Sequence, residues 1–316
     1  MSSLEGRKVL ITGATGFIGA NLVRRAIGAG ADVSIFTRMS SDTWRINDKL
    51  ECVSQHKVDL LDYEKLMLTI RDIDPEIIYH TAAYGGNPAQ KDFKKIITSN
   101  YIATANLVNA CKKSNFELFV NTGSSSEYGI KNLPMSEEDL LEPMNDYGVA
   151  KSAATVYCRF AAKSERLPIV TLRLFSPYGS YEGRTRLIPS AILDCLHGKN
   201  PMITSLAFVR DFLFIEDIMV AYLKALDAKD LEGEIINIGS GHQHSIGDVV
   251  HEIIKLTGNN VVPEIGGSMR WSNEPAKWVA DISKAKRLLN WEPKYDLTLG
   301  LRATIKWFEE NLFLYE

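Results

Sequence analysis

The stretch LITGATGFIGANL, near residue 10, constrains the fold more than any other feature of the sequence. It places Gly13, Gly16 and Gly19 between a β-branched apolar run and a segment with helical periodicity. In such a turn the first glycine permits the sharp bend, the second lets backbone approach a pyrophosphate, and the third lets the helix pack close to the sheet. The diphosphate lies on the N–H groups that open the helix. The spacing is GxxGxxG rather than GxGxxG, but this strand–turn–helix context predicts a dinucleotide site.

Short β-branched runs alternate with amphipathic stretches through the first part of the chain. The runs predict buried strands over 8–13, 32–38, 76–83, 117–125 and 168–176. The amphipathic stretches predict helices over 17–29, 63–73, 92–114 and 147–166. Strand, helix and strand in this order imply right-handed crossovers and predict an α/β fold, a Rossmann-type doubly wound parallel sheet. Ligands bind such sheets beyond the carboxyl ends of the strands.

The alternation loosens after residue 177, where a smaller α/β carboxyl-terminal substrate lobe is expected. Helices are predicted there near 245–257, 283–290 and 297–312. We assign 1–176 to the dinucleotide-binding lobe, with 210–240 interleaved into it. The substrate-binding lobe then comprises 177–209 and 241–316.

Composition narrows the classes of partner. The chain has 316 residues, 45% hydrophobic and 24% charged, with a net charge of −3 and no long block of one sign, so no nucleic-acid or membrane partner is expected. Cys52, Cys111, Cys158 and Cys195 lie far apart without metal-ligand spacing, which predicts buried or half-buried thiols in a reducing compartment and no metal site. The first apolar run is broken by glycines and lacks a cleavage signal, which favours a cytoplasmic protein.

The sequence NDYGVAKSAA places Tyr147 and Lys151 four residues apart, on one face of a predicted helix. A free tyrosine, with a pKa of about 10, is a poor base at neutral pH. A lysine ammonium about 5 Å away favours the phenolate by about 3 kcal/mol at an effective dielectric of about 20. With a cationic nicotinamide acting in the same direction, the phenol is expected to titrate near about 7 and to exchange protons with a substrate. Lys151 is also expected to hold the nicotinamide ribose.

Hydroxyl groups follow the predicted strand that ends in NTGSSSEYG. A hydroxyl at a strand end that faces the cofactor can share the substrate oxygen with Tyr147 and stabilise charge on it. Ser124 is the first candidate and Ser125 the next. The alternative is that these serines only cap the strand and satisfy local backbone groups.

The end of the second strand bears on the choice of dinucleotide. An NAD-binding protein usually carries an acidic residue there for the ribose 2′-hydroxyl, but this strand ends with Thr37 and Arg38. Because an arginine can bind a 2′-phosphate through its planar fork, NADP is favoured, with NAD possible. Asp59, after the third strand, is placed where an acid could bind the adenine amino group.

The motifs TGATGFIG, YHTAA, GSSSEYG and YGVAK occur in this order, followed by LRLFSPYG, RDFLFIEDI and DISKAKRLLNWEPKYDLTLGL. Together they resemble the extended short-chain dehydrogenase/reductases that modify nucleotide sugars. The resemblance covers nearly the whole chain. It implies a Rossmann lobe with a small carboxyl-terminal lobe for the sugar nucleotide, and a homodimer formed through helices 92–114 and 147–166.

The resemblance also implies two sets of binding residues. The first set extends the cofactor residues already named. It adds Thr15, Phe17, Ile18, Leu60, His80, Ala82, Ala83 and Pro177, the last near the nicotinamide carboxamide. The substrate set comprises Ser125, Ser176, Leu187, Arg210 and Arg270, with the two arginines as candidates for the substrate diphosphate or nucleoside. Paired donors of an arginine suit a diphosphate.

Departures from the family patterns select among reactions. Sugar dehydratases carry an Asp-Glu pair where this chain has Ser125 and Ser126, and the nearest acid, Glu127, is expected to point to the opposite side of a strand. The family's 4-epimerases often have Asn in place of Ser176, and commonly keep the acid of the second strand.

The favoured interpretation is therefore an NADPH-dependent reductase of a 4-keto-6-deoxy sugar nucleotide. One alternative is a nucleotide-sugar 4-epimerase similar to UDP-glucose 4-epimerase, which needs the same groups. Another is a small-ketone reductase of the same superfamily, and a third is a dinucleotide-sensing protein without catalysis.

Overall fold

The computed structural model describes residues 4–87, 89–266 and 275–316. Its strands are β1 Lys8–Thr12, β2 Asp32–Thr37, β3 Ser54–Lys57, β4 Ile77–His80, β5 Leu118–Ser124, β6 Ile169–Leu174, β7 Pro177–Tyr178, β8 Met202–Ile203, β9 Val209–Arg210, β10 Leu213–Phe214, β11 Ile235–Ile238, β12 His244–Ser245 and β13 Glu264–Ile265. Its helices are α1 Phe17–Gly28, α2 Tyr63–Ile73, α3 Phe93–Ile97, α4 Ala103–Cys111, α5 Asp146–Glu165, α6 Leu187–Leu196, α7 Ile215–Asp227, α8 Ile246–Thr257, α9 Ser283–Leu289 and α10 Leu297–Glu310. One π turn, Thr98–Ile102, joins α3 to α4, and 3-10 turns cover Trp44–Cys52, Ser125–Glu127 and Leu312–Leu314.

Seven strands form the central sheet, in the order β11-β6-β5-β4-β1-β2-β3. Every pairing in it is parallel. The strand order reverses at β1, whose neighbours are β2 and β4, and this reversal opens a crevice at the carboxyl ends of the strands. The prediction of a doubly wound parallel sheet is confirmed.

Alternating side chains divide the core into two layers. Val9 and Ile11 of β1 face a cluster shared with α1, α6, α7, α8 and α10, while Leu10 faces a second cluster shared with α2, α4 and α5. Because both faces of the sheet are covered by helices, its central strands carry apolar residues on both sides.

The residues after β6 build three small two-stranded ladders, β7 with β10, β9 with β12 and β8 with β13. The strand β11 instead pairs with β6 and extends the main sheet. Where one lobe ends and the other begins stays a prediction.

Two further findings concern membrane-spanning helices and the exposure of the thiols. Among the described residues, no helix is both long and apolar enough to cross a membrane. Cys111, Cys158 and Cys195 are buried, but Cys52 is exposed, so the expectation of burial is wrong for this thiol. Cys52 ends the 3-10 turn Trp44–Cys52, in which Ile46 is the buried residue.

Candidate active site

The glycine turn has the contacts that its spacing predicts. Gly13 has a φ of +71°, and a Cβ atom there would lie 2.5 Å from the backbone nitrogen of Ala82. A Cβ on Gly19 would lie 2.2 Å from the carbonyl oxygen of Gly13, so helix α1 can approach the turn only without a side chain here. Gly16 precedes α1 without a side-chain cap. The opening N–H groups of α1 are therefore not capped by the side chain before them.

The remaining residues predicted for the cofactor follow neighbouring strands at the same edge. Thr15, Phe17 and Ile18 are half-buried on the glycine turn and the start of α1, and Ala82 and Ala83 follow β4. Pro177 begins β7, just after β6, while Asp59 and Leu60 follow β3. Parallel pairing brings these strand ends to one edge of the sheet.

His80 does not line the groove with its side chain, contrary to prediction. It is 1% exposed, and its Nδ1 and Nε2 lie 2.6 Å and 2.8 Å from the hydroxyl oxygens of Thr12 and Thr104. Burial, with a smaller effect of the Lys151 charge, lowers its pKa to about 3. His80 is therefore a neutral bridge that ties β1 and β4 to α4.

The end of β2 offers a buried hydroxyl and an exposed guanidinium group. The Thr37 Oγ1 is buried without a hydrogen-bond partner among the described residues. Arg38 is exposed, and its backbone N–H donates to the Ser41 hydroxyl at 2.8 Å. Asp59 is also exposed, and its Oδ1 accepts a hydrogen bond from the Leu61 N–H at 2.9 Å.

Close backbone packing joins Tyr147 to the end of β5. The side chain of Asn145 caps helix α5 by accepting a hydrogen bond from the Gly148 N–H at 2.8 Å. A Cβ on Gly148 would lie 2.4 Å from the carbonyl oxygen of Ser126. This approach puts the first turn of α5 against the turn after β5, and the phenol of Tyr147 forms a hydrogen bond with Ser124. The structure therefore brings together two of the predicted catalytic side chains.

Ser124 also caps the turn that follows it, as the alternative interpretation of this serine predicts, while its catalytic role stays a prediction. Its hydroxyl accepts a hydrogen bond from the Ser126 N–H at 3.2 Å, and its own N–H donates to the Glu127 carboxylate at 2.8 Å. This capping box orients the hydroxyl that meets Tyr147.

Glu127 is held inside the protein by three elements. Its carboxylate accepts hydrogen bonds from Ser124 of β5, from the Thr155 hydroxyl of α5 at 3.0 Å and from the Arg173 Nε of β6 at 2.8 Å. The segment is a 3-10 turn rather than the continued strand that we expected. The side chain is nevertheless turned inward and is fully buried, so it offers no acid to a substrate.

We expected the Tyr147 pKa to fall toward neutrality, but in the protein without its cofactor this pKa is raised, so for the protein groups alone the prediction is wrong. Burial raises the pKa of this phenol, while its hydrogen bond to Ser124 and the charge of Arg186 oppose the rise. Lys151 is itself only 2% exposed, and burial lowers the pKa of its ammonium group, against an opposing effect of Glu127. For both side chains, the effect of desolvation on the pKa outweighs the effect of neighbouring charges.

A pocket of about 230 Å³ contains three of the five predicted substrate residues. Ser176, Leu187 and Arg210 line it, together with Pro177 of the predicted cofactor set. Ser125 does not: it is buried, and its hydroxyl accepts a hydrogen bond from the indole N–H of Trp278 at 3.2 Å. Arg270 lies outside the described residues.

Sequence reasoning missed Trp278, which links two parts of the site. Its ring lies 5.3 Å from the guanidinium carbon of Arg210, and its N–H reaches Ser125 behind the catalytic strand end. Beside Arg210, the buried carboxylate of Asp211 accepts hydrogen bonds from the N–H groups of Ser240, Gly241 and Ala280. A lone tryptophan in a polar stretch carries no sequence signal for such a role.

Two more missed residues, Glu182 and Arg186, line the same pocket. Arg186 directly precedes Leu187, and its Nη1 donates to the Gly86 carbonyl oxygen at 3.0 Å. Gly86 lies against Tyr147, since a Cβ atom added to this glycine would be 3.7 Å from the phenolic oxygen.

In the described part of the chain, no group of three or more His, Cys, Asp or Glu side chains could hold a metal ion.

Known proteins resemble this chain along nearly its full length. It is 27% identical to a UDP-glucose 4-epimerase of Lactobacillus helveticus, over 98% of this chain and 99% of that protein. An epimerase from Methanothermobacter thermautotrophicus has a similar structure, with a TM-score of 0.90, 28% identity and coverage of 99% of this chain and 95% of that one. A UDP-glucuronic acid 4-epimerase of Bacillus cereus, solved with UDP-glucuronic acid and NAD, gives a TM-score of 0.83 at 30% identity, over 96% of this chain and 99% of that one.

A family profile adds to these pairwise similarities. The profile that describes the NAD dependent epimerase/dehydratase family matches residues 9–239, which include the glycine turn, Ser124, Tyr147 and Lys151. The chain belongs to the NAD-dependent epimerase/dehydratase family of enzymes, within the extended short-chain dehydrogenase/reductases.

Proposed function

We propose that this enzyme is a nucleotide-sugar 4-epimerase that works with NAD. The observation that carries the proposal is the hydrogen-bonded pair Ser124 and Tyr147 beside a pocket that contains Arg210. The relatives named above include 4-epimerases of UDP-glucose and UDP-glucuronic acid, and one of them was solved with NAD. This favours the epimerase over the reductase that the sequence alone favoured.

The residues at the carboxyl edge of the sheet fit a dinucleotide. The N–H groups that open α1 would hold the diphosphate, because Gly16 leaves them without a side-chain cap. The unpartnered, buried Thr37 hydroxyl would gain a partner from the adenosine ribose. When bound, NAD supplies a reversible acceptor for the hydrogen at C4 of the sugar.

Tyr147 would exchange the proton of the sugar 4-hydroxyl. Its phenolate form would take this proton as C4 is oxidised, and the resulting phenol would return it as C4 is reduced, while Ser124 donates a hydrogen bond to the same oxygen. Because burial disfavours the phenolate, the charge of Arg186 and, when it is bound, the positive nicotinamide would have to stabilise it during turnover.

The acid chemistry of a dehydratase has no support at this site. Expulsion of a sugar C6 oxygen needs an acid that can deliver a proton to it. The nearest candidate by sequence, Glu127, is fully buried and bonded to Ser124, Thr155 and Arg173. Arg210 in the pocket also argues against a small apolar ketone, which has no use for a cation.

The experiment is to incubate the purified protein with UDP-glucose and no added cofactor. We expect conversion to the 4-epimer, with NAD released when the protein is denatured and identified by mass spectrometry. A strict requirement for stoichiometric NADPH would contradict the proposal.

One observation keeps the 4-keto-sugar reductase as a second candidate. Arg38 is exposed at the end of β2, and Thr37 occupies the position where an acid would favour NAD. Release of NADP instead of NAD, with turnover only on a 4-keto sugar nucleotide, would select the reductase.

A further inference from the structure

One buried carboxyl group in the substrate pocket is not used by the proposed reaction. Glu182 is 5% exposed and lines the pocket together with Leu187 and Arg210. Its Oε2 atom is buried without a hydrogen-bond partner among the described residues. Buried polar atoms are nearly always bonded, so this oxygen points to a donor from outside the chain.

The other carboxylate oxygen belongs to an ion pair. The Glu182 Oε1 lies 3.6 Å from the Nε of Arg186, and the N–H of Gly179 also bonds to this carboxyl group. A second cation, Arg45, acts on it from farther away, but its Nε is committed to the Tyr181 carbonyl oxygen at 2.6 Å. Within the pocket, Glu182 therefore offsets the charge of Arg186.

The cation of this pair lies toward the proposed catalytic groups. Arg186 donates to Gly86, which lies against the phenol of Tyr147, and its charge reaches that phenol. The sugar must meet Tyr147 for the proposed reaction, so we expect the sugar beside Arg186 and, through the ion pair, within reach of Glu182.

We infer that Glu182 is a specificity-determining residue that selects neutral hexoses over uronic acids. This rests on the proposed function, since it assigns the sugar end of the pocket from Tyr147. A hexose hydroxyl can donate to the unpartnered oxygen, whereas a sugar carboxylate would only add a second negative charge beside it. Both kinds of sugar occur among the relatives, since one is a UDP-glucose 4-epimerase and another a UDP-glucuronic acid 4-epimerase.

The protonation of Glu182 agrees with this role. Burial raises its pKa to about 7, with Arg186 and Arg45 opposing the rise. A hydroxyl group can bond to the carboxyl group in either state, but repulsion of a uronate requires the ionised form. The selectivity should therefore be measured at about pH 8, where the carboxylate prevails.

The test compares binding of UDP-glucose and UDP-glucuronic acid by calorimetry, in a Tyr147→Phe background that blocks turnover. We expect this protein to bind UDP-glucose about tenfold or more tightly than UDP-glucuronic acid. In Glu182→Gln, the ratio of the two affinities should fall by about tenfold. Adding Arg186→Gln to this variant should reverse much of the gain in UDP-glucuronic acid binding, because the released cation is then removed. Glu216→Gln, which breaks a Glu–Arg contact with Arg25 outside the pocket, should leave the ratio unchanged.

The outcomes separate the inference from the proposed function. Equal or tighter binding of UDP-glucuronic acid by the parent, or an unchanged ratio in folded Glu182→Gln, overturns the inference alone. Failure of both sugar nucleotides to bind overturns the inference together with the proposed substrate. Thermal unfolding of each variant confirms that the ratio is measured on folded protein.

Discussion

At the scale of single residues, the proposed reaction depends on the phenol of Tyr147. Replacing Tyr147 with Phe removes the proton-exchanging group and should lower kcat by about 10²-fold or more. The protein should keep its fold and its NAD, because the lost hydroxyl bonds to Ser124 and one such bond contributes only about 1 kcal/mol. Steady-state kinetics and mass spectrometry of bound NAD measure the two effects. Turnover within threefold of the parent would contradict this role.

Glu182 gives a pH-dependent signature in stability. Its pKa is about 7 in the folded protein against an ordinary value of 4.5, so the folded state binds the proton more tightly than the unfolded chain. The free energy of unfolding should then fall as pH rises from about 4.5 to 7 and level off above that, by at most about 3 kcal/mol from this group. Glu182→Gln should lack this fall. Urea unfolding across the pH range measures the difference, and parallel curves for parent and variant would contradict it.

Sequence reasoning at this scale found the residues with a local signal. Ser124 lies at a predicted strand end and Tyr147 at a predicted helix start, and the structure brings them together at the end of β5, whereas Arg210 was reached only through the family resemblance. Glu182 and Trp278 lack such a pattern, because their surroundings are made by segments far away in the chain. The direction of the Tyr147 pKa could not be predicted either, since spacing indicates a neighbouring charge but says nothing about burial.

At the scale of elements, the contact between α5 and the turn after β5 sets the geometry of the site. Gly148→Ala would place a Cβ 2.4 Å from the Ser126 carbonyl oxygen and push the helix away from Ser124. We expect kcat to fall by about tenfold or more, because catalysis is sensitive to small displacements. Gly28→Ala, on helix α1 with nothing within 4 Å of its Cβ, is the matched control and should leave kinetics unchanged. Equal activities of the two variants would contradict a role for this contact in setting the geometry of the site.

The elements themselves were largely predictable, because periodicity reports which faces are buried. The strands near residues 8, 32, 76, 117 and 168 and the helix over 63–73 agree with the structure. The predicted helix 92–114 contains a π turn at Thr98–Ile102, which periodicity does not reveal. Within this turn the buried Asn100 bonds to the backbone of Tyr84, and so holds the loop that passes Tyr147.

At the scale of the whole molecule, helix α5 carries a stripe of exposed apolar side chains, and another exposed apolar residue lies in the π turn before α4. Val149, Val156 and Phe160 lie on one side of α5, Ile102 lies just before α4, and the exposed fraction of Phe160 is 60%. The spacing of seven and four residues in α5 forms a stripe, which is typical of a helix that packs against another. We propose that this face forms the homodimer.

A charge in this stripe should separate the subunits. Phe160→Asp should give a monomer in analytical ultracentrifugation with its circular dichroism unchanged, because the side chain is exposed and does not support the core. Phe313→Asp is the control and should remain a dimer. Phe313 is likewise exposed, with an exposed fraction of 70%, but lies near the end of the chain rather than on α5. A monomeric parent protein, or a dimeric Phe160→Asp variant, would contradict this interface.

In the proposed reaction, C4 of the sugar nucleotide is oxidised and then reduced within one site, where Tyr147 exchanges the proton and a retained NAD would supply the hydride chemistry. The most direct measurement uses UDP-glucose carrying deuterium at C4, incubated with the purified protein without added cofactor and followed by NMR. We expect the 4-epimer to form and to keep deuterium at C4, because the hydrogen leaves and returns within one site. Loss of the deuterium to solvent, or conversion only when NADPH is supplied and consumed, would contradict it.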